Sequence, residues 1–230
     1  MVAKKKSLVR KIIFGIIGTI ILFTLITIVS IINVFKNAHV ISKGQPIENY
    51  SEHNSALLIV DIQEVITGDC SIFPGLQKNS ENLISKINQV VDSFKVYNYP
   101  IIYVRSEFAN PFVNLLNNSY AKGSPRVKYD KRLKVISNLE VVKIGEDSFR
   151  KTKLDDLLHR HKVSELYIVG LDAAECVNTT VRAAQNRQYK VNIIKEAVIS
   201  KSERKTDSMM VKFEEMGVKV ISMDRLNIMK

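Results

Sequence analysis

Six short apolar runs, separated by stretches long enough for helices, constrain this chain more than any other feature. They fall at residues 56–60, 101–104, 139–142, 165–169, 191–194 and 218–221, and they are rich in Val and Ile. Near-continuous β-branched runs of this length mark strands buried on both faces rather than strands with one wet side. Between the first two, Leu83, Ile84, Ile87, Val90, Val91 and Phe94 recur at the spacing of one helix face. Further helices are expected near residues 153–161, 176–187 and 203–216. Strands alternating with helices predict an α/β, three-layer fold, with a mostly parallel central sheet covered by helices on both faces. In such sheets ligands bind beyond the carboxyl ends of the strands, so the residues that end strands come first in a search for chemistry. Asp61 ends the first strand, and Cys176 follows the strand that closes at Val169-Gly170.

A different segment precedes this pattern. Residues 12–35 are 24 in a row without a charge, dominated by Ile, Leu, Val and Phe, whereas about 20 suffice for a helix to cross the hydrocarbon core of a bilayer. A cleaved signal peptide usually has an apolar stretch of roughly 7–15 residues and a small-x-small cleavage site, and residues 33–41 offer no such site. The expectation is a single transmembrane helix at about 12–35, within an anchor of residues 1–36. A polar tether of residues 37–54 and one domain of residues 55–230 would follow. Lys4, Lys5, Lys6, Arg10 and Lys11 stand in front of the span, so the positive-inside rule keeps the N-terminus cytoplasmic and puts the domain outside the cytoplasm. Membrane lipid is thus one expected partner.

The formal net charge of +11 falls to +6 without those five cations. No compact basic stripe with interleaved aromatics remains, which argues against a nucleic-acid partner. Only Cys70 and Cys176 occur among the cysteines, too few for a disulfide framework or a CxxC-type zinc site; a Cys70–Cys176 bridge stays open. His159 and His161 are two apart on an expected helix and point to different faces, so no metal site is expected there.

Taken singly, Asp61 could be a helix cap and Cys176 a small buried hydrophobe. Three segments read together say more. Residues 56–63, with Leu-Leu-Ile-Val-Asp-Ile-Gln at their core, resemble the opening strand of the isochorismatase-like cysteine hydrolases. Lys143-Ile144-Gly145-Glu146-Asp147-Ser148-Phe149 is similar to that family's segment in which Phe follows a Lys by six positions. Gly170-Leu171-Asp172-Ala173-Ala174-Glu175-Cys176-Val177, continuing to Thr180 and Ala184, is similar to its nucleophile motif. The resemblance covers nearly all of residues 55–222 and implies catalytic roles for Asp61, Lys143 and Cys176. It also implies an oxyanion hole made by the backbone N–H groups of Asp172 and Cys176, with a cis peptide between Leu171 and Asp172. The chain departs from the family at Ala173, where Thr is frequent, and at Ile66, where an aromatic is. Residues 105–110 lack the His ligands that the nicotinamidase branch carries, so neither a metal nor another cofactor is implied.

The chemistry expected is attack by a Cys176 thiolate on a small-molecule amide. A free thiol is mostly protonated at neutral pH; a helix N-terminus and the Lys143 ammonium would stabilise its anion, while Asp61 would take and return the proton. Gln63, Phe108 and Phe149 are pocket candidates by position, and Cys70 is expected to be structural. For Asp172 two roles stand open, facing a polar group of the substrate or bonding a nearby loop. Other readings are hydrolysis of an isochorismate-type vinyl ether, which needs no thiol, and a catalytically silent, membrane-tethered binding domain. A homo-oligomer is a further expectation from the family.

Overall fold

The computed structural model describes residues 2–50, 54–110, 114 and 118–228; residues 51–53, within the expected tether, and 229–230, at the end of the expected domain, lie outside the described residues. Helix α1 (Val2–Ala38) is followed by β1 (Asn54–Val60), a short α2 (Pro74–Gln77), α3 (Ser80–Val96), β2 (Ile101–Ser106), β3 (Glu140–Lys143) and α4 (Leu154–Arg160). Then come β4 (Val163–Gly170), α5 (Cys176–Asn186), β5 (Lys190–Val198), α6 (Glu203–Glu215) and β6 (Lys219–Ile221).

The six strands among the described residues join one parallel sheet in the order β3-β2-β1-β4-β5-β6. Alternation along β1 sends Ala56, Leu58 and Val60 to one face and Leu57 and Ile59 to the other. The first set packs with Leu154 and Leu157 of α4, Val177 and Val181 of α5, and Phe213 of α6. The second packs with Leu83, Ile87, Val91 and Phe94 of α3. Burying each such side chain contributes about 1.5–3 kcal/mol. The two hydrophobic layers are therefore what holds β1 central. Helix α3 stops where Asn98 takes φ 55°: the Asn98 N–H bonds Lys95 O, the Tyr99 N–H bonds Phe94 O, and the Phe94 and Tyr99 rings lie 6.0 Å apart. That is a Schellman stop with its apolar contact.

The strand order reverses between β1 and β4, because β1 leads outward to β2 and β3 while β4 leads the other way to β5 and β6. The crevice beyond the carboxyl ends of β1 and β4 is thus the switch point where this architecture holds ligands. Gly170 makes the close approach possible: at φ 114° a Cβ there would lie 2.2 Å from Val60 O.

Within α1, residues 10–33 form a helix long and apolar enough to cross a membrane. A helix of this kind serves either as a membrane span or as a signal sequence. Residues 40–50 contain no helix or strand, yet they are not a loose tether. Ile41 and Ile47 pack against the core, the Ser42 N–H bonds Asp147 Oδ2 at 2.7 Å, and the Ile47 N–H bonds Arg187 O at 2.9 Å. This strap has no periodicity of its own because its partners lie more than a hundred residues away in the chain.

Candidate active site

The end of β1 turns through Asp61 at φ 58°, a left-handed conformation that Asp tolerates better than most residues. Two strands away, β3 ends on Lys143, and α5 begins on Cys176. These three come together under the switch point. The Lys143 side chain is completely buried. Its Nζ lies 2.8 Å from Asp61 Oδ2, 2.8 Å from Ser106 Oγ, 3.0 Å from Gly145 O and 3.2 Å from Cys176 Sγ. Ser106 in turn donates its hydroxyl proton to Asp61 Oδ1 at 3.0 Å. An ammonium has three N–H donors, so four acceptors oversubscribe it, and the weakest of them, a neutral thiol, is served last.

The charges follow from this packing. Burial alone would lower the pKa of Lys143, but Asp61 and then Cys176 beside it outweigh that and raise it, so Lys143 and Asp61 stand as an ion pair. The Cys176 thiol is pushed well above its ordinary value, by burial first and by the Asp61 carboxylate second, with Lys143 pulling the other way. Lys143 thus favours the anion, as the sequence suggests, but burial and the Asp61 carboxylate outweigh it, which the sequence does not show. The resting group is a thiol touching a cation, with a carboxylate in the same cluster.

The peptide bond Leu171–Asp172 is cis. As the first residue of α5, Cys176 has an N–H without a partner inside the helix. Asp172 Oδ1 accepts from the Ala174 N–H at 2.8 Å and from the Ser200 hydroxyl, so one carboxylate oxygen bonds the neighbouring loops. The other, Oδ2, is buried and has no hydrogen-bond partner, and burial raises this carboxyl's pKa above the ordinary value. Glu175 pairs with Lys201, 2.5 Å from its Nζ.

A cavity of about 340 Å³ opens over Cys176, lined by Asp61, Ser106, Asp172 and the apolar Ile66, Phe73 and Phe108 among others. Phe108 therefore lines this cavity. Gln63 and Phe149 do not. The Gln63 side chain is fully buried and clamps the backbone: its amide donates to Ser106 O and Val127 O, and its carbonyl accepts the Ser106 N–H at 2.7 Å. Phe149 lies under the Arg187 guanidinium, 4.3 Å from the ring centre. Sequence reasoning missed Ser106, although it ends a strand next to β1, and Tyr120, which contacts Phe108 at 5.5 Å between ring centres. Cys70 and Cys176 are both free thiols. Among the described residues no group of three or more His, Cys, Asp or Glu is placed to hold a metal, and Glu107, on the segment after β2, pairs with Arg105.

Comparison with known proteins places this geometry. The isochorismatase family protein YaaI of Bacillus subtilis is 26% identical over 155 residues, covering 66% of this chain and 84% of its own. Among solved structures, an isochorismatase-like hydrolase from Alkaliphilus metalliredigens superposes with a TM-score of 0.67 at 18% identity, over 77% of this chain and 99% of that one. N-carbamoylsarcosine amidase from Thermoplasma acidophilum does so with a TM-score of 0.61 at 21% identity, over 74% and 96%. The model of the isochorismatase domain matches residues 55–225, the stretch that carries every strand but the first residue of β1, and the chain belongs to the isochorismatase family of hydrolases.

Proposed function

We propose that this protein is a membrane-anchored cysteine hydrolase that cleaves a C–N bond of a small amide. The observation that carries the reading is the buried Lys143 ammonium, within hydrogen-bonding distance of both Asp61 and Cys176. As an amide enters, Asp61 takes the thiol proton while Sγ attacks the carbonyl carbon. The N–H groups of Asp172 and Cys176 receive the developing oxyanion, a donor of this kind being worth roughly 2.7–4 kcal/mol of barrier. Asp61 returns the proton to the departing nitrogen, leaving a thioester. Water, deprotonated by Asp61, then releases the acyl group as a carboxylate and restores the thiol. Lys143 holds the negative charge of the cluster throughout and shifts an N–H toward sulfur as the thiolate forms. The amidase among the structural neighbours agrees with this reaction class. Helix α1 serves as an uncleaved anchor, with the cations of its N-terminal end in the cytoplasm and the catalytic domain on the other side.

Iodoacetamide labelling across pH, combined with ammonia release from a panel of small amides, tests the chemistry. Cys176→Ala abolishes turnover and removes the label at residue 176. Asp61→Asn gives a sharper result, because it removes the carboxylate that raises the thiol pKa. Alkylation at pH 7, which needs no proton donor, becomes faster than in the wild type. Ammonia release, which needs one, falls by roughly 10²–10⁴-fold. Cys176 labelling in both proteins with the midpoint of a free thiol, near pH 8.5, would sink the assignment.

A further inference from the structure

The last turn of α1 is bonded to the catalytic loops. Ala38 O accepts the Glu146 N–H at 2.9 Å, and His39 Nδ1 lies 2.7 Å from Glu146 Oε1. Glu146 Oε2 accepts from Thr179 Oγ1 at 2.9 Å, on the helix that begins with Cys176. Ala38 and His39 accordingly form part of the wall of the Cys176 cavity. Just before them, Ser30 and Asn33 share a neighbouring cavity of about 280 Å³ with Ile144, Arg150 and Lys151. Ile144 borders both cavities and is 58% exposed.

These contacts fix a height. The apolar window of α1 ends at Asn33, and five further residues of helix rise about 7–8 Å. The headgroup layer on each side of a bilayer is of similar depth, about 5–8 Å. The mouth of the cavity then lies at headgroup level, with an exposed isoleucine at its rim, Arg150 and Lys151 on the neighbouring cavity, and inside it an apolar wall of Ile66, Phe73, Leu76 and Phe108 facing a polar one that includes Asp61, Glu146, Glu175 and Lys201. A freely soluble amide has no use for that placement. A molecule whose polar head rests among the headgroups, with its chain in the hydrocarbon, is delivered to it.

We infer that the substrate is a single-chain, membrane-partitioned carboxamide, whose head amide meets Cys176 while the first part of its chain occupies the apolar wall. The inference rests on the amide-cleaving reading of Cys176 and on α1 as a span. The test uses the full chain in phosphatidylcholine vesicles, with primary carboxamides from butanamide to dodecanamide and ammonia release as readout. Burying each added methylene is expected to raise kcat/KM roughly fourfold until the cavity is filled, and by at least about 100-fold across the series. Ile144→Asp is expected to lower the dodecanamide-to-butanamide ratio by at least about tenfold. Since both proteins see the same partitioned amide, that drop separates a site at the interface from mere concentration of the amide in the vesicle. Hydrolysis of butanamide with a ratio below about 3, or a ratio unmoved by Ile144→Asp, overturns the inference and leaves the hydrolase reading standing. Absence of hydrolysis along the whole series, together with ordinary free-thiol labelling of Cys176, overturns both.

Discussion

Lys143 does two jobs that mutation can separate. Its ammonium neutralises Asp61, whose side chain is 3% exposed, and breaking a buried pair by deleting one partner typically costs about 3–5 kcal/mol. Lys143→Met is therefore expected to lose about that much stability in urea unfolding. Lys143→Met combined with Asp61→Asn should recover most of it, since no uncompensated charge stays buried, while remaining inactive. A double variant as unstable as the single one would show that the pair is not what stabilises the site. Asp172 supplies a pH test. Its folded-state pKa is raised by burial, so the folded protein holds a proton that the unfolded chain gives up, and stability falls as pH rises above the ordinary carboxylate value. Asp172→Asn removes that loss: its Tm should exceed the wild type's at pH 7, and the gap should close near pH 3.5. Sequence alone could place Asp61, Lys143 and Cys176 as a set, because three local patterns carried them. It could not set the charge state of the thiol, which depends on burial. Nor could it orient Gln63 and Phe149, since nearness in sequence to a motif does not say which way a side chain points.

Among the elements, the strands and helices were legible wherever the apolar pattern was strong, as along β1 and α3. The strap of residues 40–50 was not, because its order comes from partners distant in sequence: the core under Ile41 and Ile47, Asp147, and above all Arg187. Arg187 grips Asp155 through Nε and Nη2 at 2.6 and 2.9 Å, donates to Ser42 Oγ at 3.0 Å and stacks on Phe149. Lysine cannot reproduce a planar fork that does all three. Arg187→Lys should cost about 2 kcal/mol and raise the rate of tryptic cleavage at Lys43. An unchanged digestion rate would mean that Ile41 and Ile47 hold the strap unaided. The β1–β4 contact gives a paired test with two glycines. Gly170→Ala puts a Cβ against the Val60 backbone beside Asp61, so both stability, by more than about 1 kcal/mol, and amide hydrolysis should fall. Gly217, at φ 76° with nothing within 4 Å of an added Cβ, should lose only the left-handed penalty of about 1–2 kcal/mol on mutation to Ala, with turnover unchanged.

At the scale of the whole molecule, alternation of strands and helices was enough to give a parallel sheet covered on both faces, but not its strand order, which is a matter of long-range pairing. The order is what puts Asp61 and Cys176 beside one another, so the site became visible only once β1 and β4 were neighbours. The same scale decides between an anchor and a cleaved leader. If α1 stays attached, what retains the protein in the membrane is transfer of apolar helix surface into hydrocarbon, and the five leading cations only set its direction. Washing with about 1 M NaCl, where the screening length falls to about 3 Å, should then release none of it, whereas detergent should release all. The intact mass of the membrane-bound chain should include residues 1–36, and protease added to intact cells should digest the domain. A soluble product lacking the apolar segment would make α1 a signal sequence. It would also detach the cavity mouth from the bilayer, because Ala38 and His39 would no longer be held at the surface by the helix below them. Retention of the full chain with a protected domain would instead reverse the orientation while leaving the height of the site above the membrane unchanged.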